Sequence, residues 1–322
     1  MRERFGIEDG EGALIEWLLG MAITQDLKNG TVKMNMEMAI TKLAGAVLSP
    51  EEIRKAEGVD TPMVTCGLQK QSSRTVPKEQ FDYLSVVGSL LHIANCVRCD
   101  VAYAVGVLAR HAAHPGQAHV RAAKRVLMYL YRTRDLGITF SRDVPKSKKK
   151  LVMFERGEHP LNNGLNYLQV FSDSDYAADE TRRSTSGVVI MLNGGPIAWT
   201  STLGKTVATS TCEAEVNAAV MASKEAIHFQ RLLFDLGLAE ENETLTIQED
   251  NAACIAQAKT GLHHVRNAKH YQVKLRFLQQ LVVDKQIKFE YCPTDEQLAD
   301  FMTKPLEGKK FILFRDAILG PH

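Results

Sequence analysis

From residue 167 onward the chain carries three strand-length apolar runs in succession, followed by one long helical pattern. The runs cover 167–173, 185–192 and 195–201, and Asn193-Gly194-Gly195 is a turn of the kind that joins two antiparallel strands. Residues 211–236 then repeat alanine and larger apolar residues at helical spacing and stop before Gly237. A strand at 244–249, helices at 250–259 and 268–283, a strand at 286–292 and helices at 295–303 and 308–318 complete the pattern. Antiparallel strands, then a helix, then strands alternating with helices leave few solutions. The expectation is a mixed sheet covered by helices, of the α/β (α+β) class.

The preceding residues read differently. Residues 14–36 form a hairpin pattern around the turn dipeptide Asn29-Gly30, and a helix is expected over 37–48. Ser49-Pro50-Glu51-Glu52 opens another, with serine as cap and proline at the first position. Residues 59–78 read as an irregular connector, and helices are expected over 79–110, with a break near Cys99-Asp100, and over 116–132. The last places Val120, Ala123, Val126, Leu127 and Leu130 on one face and Arg121, Lys124, Arg125 and Arg132 on the other. Residues 141–165 then read as a basic, solvated linker, since Ser141–Lys150 holds five basic residues against one acid. The expected division is 1–140, linker 141–165, and 166–322.

Bulk properties exclude some classes. A net charge of +1 over 322 residues argues against a binder that works by overall basicity. The apolar stretches are too short or too interrupted to span a bilayer, and the first residues lack an apolar signal-peptide core, so no membrane association and no secretion are expected. Six cysteines, Cys66, Cys96, Cys99, Cys212, Cys254 and Cys292, are scattered without a framework. Cys96 and Cys99 form a lone CxxC with no second pair to complete a zinc site, and they read as reduced packing residues.

Four acids fall where this pattern would gather them. Asp173 ends the first strand, Glu215 lies in the long helix, Asp250 ends the 244–249 strand, and Asp300 lies in a short helix near the C-terminus. Carboxylates held together on a rigid scaffold repel one another unless cations neutralise them, which points to a two-cation phosphodiesterase site. Asp175 and Asp179 are alternatives to Asp173, but fall in the following loop. Glu213 and Glu215 are two apart on a helix and point about 200° away from each other, so only one can face the cations. Glu215 heads a face of Ala218, Ala219, Ala222 and Ala226, small enough to let a sheet approach closely. Asp250 also reads as a helix N-cap, and Thr294 as the cap of the helix bearing Asp300.

Four blocks occur in order: Phe171-Ser-Asp-Ser-Asp-Tyr-Ala-Ala-Asp, Thr209-Ser-Thr-Cys-Glu-Ala-Glu-Val-Asn-Ala-Ala, Glu249-Asp-Asn-Ala-Ala-Cys-Ile-Ala and Pro293-Thr-Asp-Glu-Gln-Leu-Ala-Asp-Phe-Met-Thr-Lys-Pro-Leu. Together they resemble the ribonuclease H domain of copia-type retrotransposon polyproteins. Trp17-Leu-Leu-Gly-Met-Ala-Ile, Tyr83-Leu-Ser-Val-Val-Gly-Ser-Leu-Leu-His-Ile-Ala and His119-Val-Arg-Ala-Ala-Lys-Arg-Val resemble the thumb and connection region of the same polyproteins. The resemblance implies a ribonuclease H-like mixed five-stranded sheet flanked by helices, preceded by a mostly helical thumb/connection-like region with an N-terminal hairpin. It implies hydrolysis of the RNA strand of RNA–DNA hybrids, with Asp173, Glu215, Asp250 and Asp300 as catalytic residues and as ligands of two Mg²⁺ ions, Mn²⁺ being the alternative. The family's Glu-apolar-x-Ala pattern also selects Glu215 over Glu213.

Arg182, Arg183, Ser184, Thr185 and Ser186, in the loop beside Asp173, are the expected substrate contacts. The hybrid and the remainder of a reverse transcriptase polyprotein are the implied partners. A cytoplasmic virus-like particle or the nucleus is the implied compartment. No Asp-Asp dipeptide occurs, so the polymerase metal motif of the family is not in this chain. No histidine lies in Glu290–Gln297, where cellular ribonucleases H often carry a mobile one. His263, His264 and His270 read as packing or surface residues. The competing expectations are an inactive transposon remnant and a non-catalytic nucleic-acid-binding module.

Overall fold

The computed structural model describes residues 14–65, 75–142, 167–240, 243–260 and 271–320. Most of the expected linker, together with Cys66, His263, His264 and His270, lies outside the described residues. In chain order the first elements are β1 (Trp17–Leu18), β2 (Met21–Asp26), β3 (Thr31–Asn35), α1 (Glu37–Val47), α2 (Pro50–Lys55), α3 (Tyr83–Cys96), α4 (Ala102–Ala109), α5 (Gln117–Arg132) and β4 (Ile138–Ser141). Then come β5 (Gln169–Asp175), β6 (Thr185–Leu192), β7 (Gly195–Leu203), α6 (Thr211–Asp235), β8 (Leu245–Glu249), α7 (Ala252–Lys259), α8 (Gln272–Val283), β9 (Ile287–Tyr291), α9 (Asp300–Thr303) and α10 (Gly308–Leu319).

The N-terminal hairpin is present, with Gly30 in the left-handed region at φ 63°. It belongs to a four-stranded antiparallel sheet in the order β1-β2-β3-β4. The fourth strand escaped sequence reading because four residues show no periodicity and its partner β3 is about a hundred residues away. Ser49 caps α2 as expected: its Oγ accepts from Glu52 N, and the Glu52 carboxylate accepts from Ser49 N at 2.8 Å. The helix expected from 79 begins four residues later. Lys78–Gln80 form a turn, and the Asp82 side chain accepts from Ser85 N to cap α3.

The predicted break near Cys99-Asp100 is a short 3₁₀ turn, Cys99–Val101. A buried ion pair sits at this turn. Arg98 is fully buried and donates from Nε and Nη2 to the two Asp100 oxygens at 2.8 and 2.6 Å. Its Nη1 donates to Thr133 O, and Tyr129 donates its hydroxyl to Asp100 Oδ2. Burial raises the pKa of Asp100, but the Arg98 charge prevails and holds the carboxyl below the usual range.

The second sheet has the order β7-β6-β5-β8-β9. β5, β6 and β7 pair antiparallel, whereas β5–β8 and β8–β9 are parallel. This is the mixed five-stranded sheet expected from the pattern. Both of its faces are covered, which is why β6 is buried along nearly its whole length. Val170, Val188, Ile190, Leu245 and Ile247 pack against α6, α7 and α8 on one face. Phe171, Val189 and Met191 pack on the other into a core shared with α3, α4, α5, α9 and α10. That second core joins residues from both halves of the chain: Leu127, Leu130 and Ile138 meet Phe311, Phe314 and Ile318 in one cluster. Trp199 on β7 donates its Nε1 to Ala94 O at 3.0 Å, and Arg110 pairs with Asp179 at 3.0 Å.

One glycine positions α9. Gly187 on β6 lies opposite Asp173, and a Cβ there would come within 2.9 Å of Thr303, Ala299 and Met302 atoms. Without a side chain at 187 the short helix rests directly on the sheet.

Breaking the Arg98–Asp100 pair from one side leaves a fully buried guanidinium uncompensated. Asp100→Ala is expected to cost about 3–5 kcal/mol in urea unfolding, against at most about 1 kcal/mol for Glu51→Ala in the exposed Glu51–Lys55 pair. Equal costs for the two would contradict this account.

Candidate metal centre

Each acid is delivered by a separate element. Asp173 lies on β5, on the face toward α9, and is 4% exposed. Its Oδ2 accepts a hydrogen bond from the Thr303 hydroxyl. Burial, reinforced by the charge of Asp300, pushes its carboxyl up to about 7. Asp175 is the last residue of β5 and half-buried, and Asp179 is engaged by Arg110 and Thr181.

Helix α6 separates the two glutamates as its geometry requires. Ser210 caps the helix by accepting from Glu213 N, and the Glu213 carboxylate accepts from Thr209 N at 2.6 Å and from Thr209 Oγ1 at 3.0 Å. Glu213 is thereby occupied in closing the helix start. Glu215 points the other way and is 6% exposed, in line with Ala218, Ala219, Ala222 and Ala226, which are all fully buried. Its Oε2 is buried and has no hydrogen-bond partner. Burial, with the charges of Glu249, Asp173 and Asp250, pushes its carboxyl up to about 11.

Asp250 stands where the chain leaves β8. The capping role open to it falls to Asn251, whose Oδ1 accepts from Cys254 N at 2.9 Å. Asp250 Oδ2 instead accepts from the Thr294 hydroxyl at 2.9 Å, so Thr294 orients an acid rather than capping a helix. Asp300 opens the four-residue α9 and is fully buried, not mid-helix as expected. Lys304 lies 2.6 Å from one of its oxygens and Lys310 lies 3.0 Å from the other. Burial works against the Lys304 charge, but its hydrogen bond and attraction to Asp300 raise its pKa.

Sequence reading assigned no role to Glu249, which is fully buried on β8. Its Oε2 accepts from Ser172 Oγ at 2.8 Å and its Oε1 from Asn251 N at 3.2 Å. Burial pushes its carboxyl up to about 8 against those hydrogen bonds, with Asp173 and Asp250 adding to the rise. The signal was its register: Glu249 shares a face with Leu245 and Ile247, both in the core.

Two groups of carboxylates result. One oxygen each from Asp173, Asp250 and Asp300 lie within 4.8 Å of one another, and the same holds for Glu215, Glu249 and Asp250. Asp250 belongs to both groups. The residues fit a hard divalent cation: every donor is a carboxylate oxygen, and a buried oxygen of Glu215 has no other partner.

The expected substrate contacts divide. Arg182 is exposed, with φ 59°, and Arg183 donates from Nε to Thr181 Oγ1. Ser184, Thr185 and Ser186 are buried. Ser184 Oγ accepts from Ala177 N, and Thr185 Oγ1 accepts from Arg110.

The raised carboxyls set a pH dependence. Asp173 and Glu249 hold protons in the fold up to about 7 and about 8, whereas the unfolded chain releases them near 3.8 and 4.5. The stability this proton uptake contributes is complete below those lower values and is lost as pH rises through 7 to 8. A divalent cation replaces the protons. The rise in Tm on adding Mg²⁺ is therefore expected to be larger at pH 8.5 than at pH 6; an equal rise at both would count against cation binding by these acids.

No family model matches the chain. It is similar to the retrovirus-related Pol polyprotein from transposon TNT 1-94 of Nicotiana tabacum, at 31% identity over 95% of this chain and 21% of that protein. The corresponding polyprotein from transposon RE2 of Arabidopsis thaliana is 28% identical over 97% of this chain and 19% of its own length. The chain thus spans about a fifth of the length of these relatives. The secreted RxLR effector protein 161 of Plasmopara viticola is 39% identical over 45% of this chain and 89% of its own length. Among solved structures, LC11-RNase H1 aligns with 43% of this chain and 94% of its own, at 17% identity and a TM-score of 0.35.

Proposed function

We propose that this chain, a member of the copia-type retrotransposon Pol family, is the part that hydrolyses the RNA strand of RNA–DNA hybrids. The observation that carries this reading is the convergence of Asp173, Glu215, Asp250 and Asp300 at one end of the sheet in two groups that share Asp250, one of which contains a Glu215 oxygen with no protein partner. The proposed division of the chain is a thumb/connection-like segment over 1–140, a linker over 141–165 and the ribonuclease H-like part over 166–322.

Asp173, Glu215, Asp250 and Asp300 would hold two Mg²⁺ or Mn²⁺ ions. Such ions, when bound, lower the pKa of an attacking water and stabilise the leaving oxygen. The chain's own residues set the stage for that chemistry. Thr303 fixes the orientation of Asp173, Thr294 that of Asp250, and Ser172 that of Glu249. The apolar faces around α6 and α9 keep bulk water from the buried acids, so a counter-charge acts there with less screening.

Arg182 and Arg183 are at hand to meet phosphates on the hybrid. Ser184, Thr185 and Ser186 support that loop from within the sheet. RNA is distinguished by its 2′-hydroxyls across the wide minor groove. The remaining length of the Pol polyprotein is the proposed partner, and a cytoplasmic virus-like particle or the nucleus the proposed compartment. Among the described residues no helix is long and apolar enough to cross a membrane.

One observation weighs against a binding-only module. Two of the four cations on the basic face of α5 are charge-paired within the chain, Lys124 with Glu52 and Arg132 with Asp60, and Arg125 is held by the Thr61 hydroxyl.

Cleavage of a labelled RNA–DNA hybrid with Mg²⁺ tests the proposal. Glu215→Gln is expected to fall to the level of an Asp250→Asn control. Glu213→Gln should leave cleavage near wild type and cost about 1 kcal/mol of stability through the helix start. Wild type no more active than Asp250→Asn would refute the proposal, and equal losses in the two glutamate variants would refute the assignment of Glu215.

A further inference from the structure

The two carboxylate groups at this site differ in what already neutralises them. In the Asp173–Asp250–Asp300 group, Asp300 meets an ammonium on each oxygen, Lys304 at 2.6 Å and Lys310 at 3.0 Å. The Glu215–Glu249–Asp250 group has no lysine or arginine ion pair among the described residues. It also contains Glu215 Oε2, which is buried with neither a hydrogen bond nor an ion pair, whereas Asp300 Oδ1, buried in the other group, faces Lys304. Glu249 brings a carboxylate beyond the four that the resemblance implies, and the hydroxyl of Ser172 and the amide of Asn251 aim it. Each of those carboxylate oxygens has a second lone pair free to bind a cation.

We propose that the site is asymmetric toward divalent cations: Glu249 makes Glu215–Glu249–Asp250 the strong seat, and Lys304 with Lys310 keeps Asp173–Asp250–Asp300 weak. This rests on the metal-dependent reading above. A first ion at the strong seat engages Asp250, which the weak seat shares. A second ion must then displace ammonium groups from a buried Asp300 that they already neutralise. Lys304 is a positioning residue in this scheme. It holds Asp300 and sets the affinity of the second seat without touching substrate.

The test is calorimetric titration of the full chain with Mn²⁺, with free Mn²⁺ counted by electron paramagnetic resonance and no nucleic acid present. Wild type is expected to bind one ion at least about tenfold more tightly than a second, and Glu249→Gln to weaken the first by about tenfold or more. The double variant Lys304→Met/Lys310→Met keeps Glu249 and changes half-exposed positions, so it tests the second seat independently of any folding defect at 249. It is expected to bring the second ion close to the first. Two ions of equal affinity in wild type, an unchanged tight constant in Glu249→Gln, or an unchanged gap in the lysine variant would each overturn the proposal. Failure to bind any ion removes both this proposal and the nuclease reading. Unequal binding without hybrid cleavage removes only the nuclease reading, and cleavage with equal seats removes only this one.

Discussion

The site depends on β5, β8 and β9 running in the same direction. Parallel neighbours end on the same edge of a sheet, so the residues that leave these strands meet there. Asp173 lies near the end of β5, Glu249 and Asp250 at the end of β8, and the chain leaving β9 turns into α9 with Asp300. Were β8 antiparallel to β5, Asp250 would lie a strand length away, roughly 15 Å for five residues. Parallel pairing also requires a long connection. Helix α6 lies within it, and its first turns carry Glu215 to the same edge.

Bringing these acids together runs against their own electrostatics. Both faces of the sheet are dry, so each carboxylate loses hydration and feels its neighbours strongly. The chain meets this in three ways: protons retained on Asp173, Glu215 and Glu249, hydroxyl donors from Thr303, Thr294 and Ser172, and two lysines set against Asp300. The apolar packing that encloses the cluster holds it against that repulsion. Each fully buried leucine or phenylalanine contributes about 1.5–3 kcal/mol.

Periodicity made most of the fold legible. The continuous apolar run in β6 and the alanine spacing in α6 located those elements to within a residue or two, because a strand covered on both faces is apolar throughout and a buried helix face imposes a period. Helix phase allowed only one of Glu213 and Glu215 at the site, and the alanine face together with the family's Glu-apolar-x-Ala pattern chose Glu215. What escaped reading lacked a period or depended on distant partners. β4 is four residues long and exists through β3. α9 is one turn, held by its contact with Gly187 rather than by propensity. Glu249 was hidden because an acid in a strand reads as solvated unless its register with Leu245 and Ile247 is followed. Lys304 and Lys310 drew no reading from the sequence, and only the folded chain shows both reaching one buried aspartate.

The core that joins α5 and β4 to α10 gives the two halves of the chain a shared fate. Phe171, Val189 and Met191 share one cluster with Phe301 and Met302 of α9 and with Leu127, Leu130 and Ile138 of the first half, so the acid-bearing elements do not enclose that face by themselves. A lineage that needed only the acids would still have to retain the helices beneath them. Sequence drift in the thumb-like half is therefore constrained by the chemistry at the other end of the molecule.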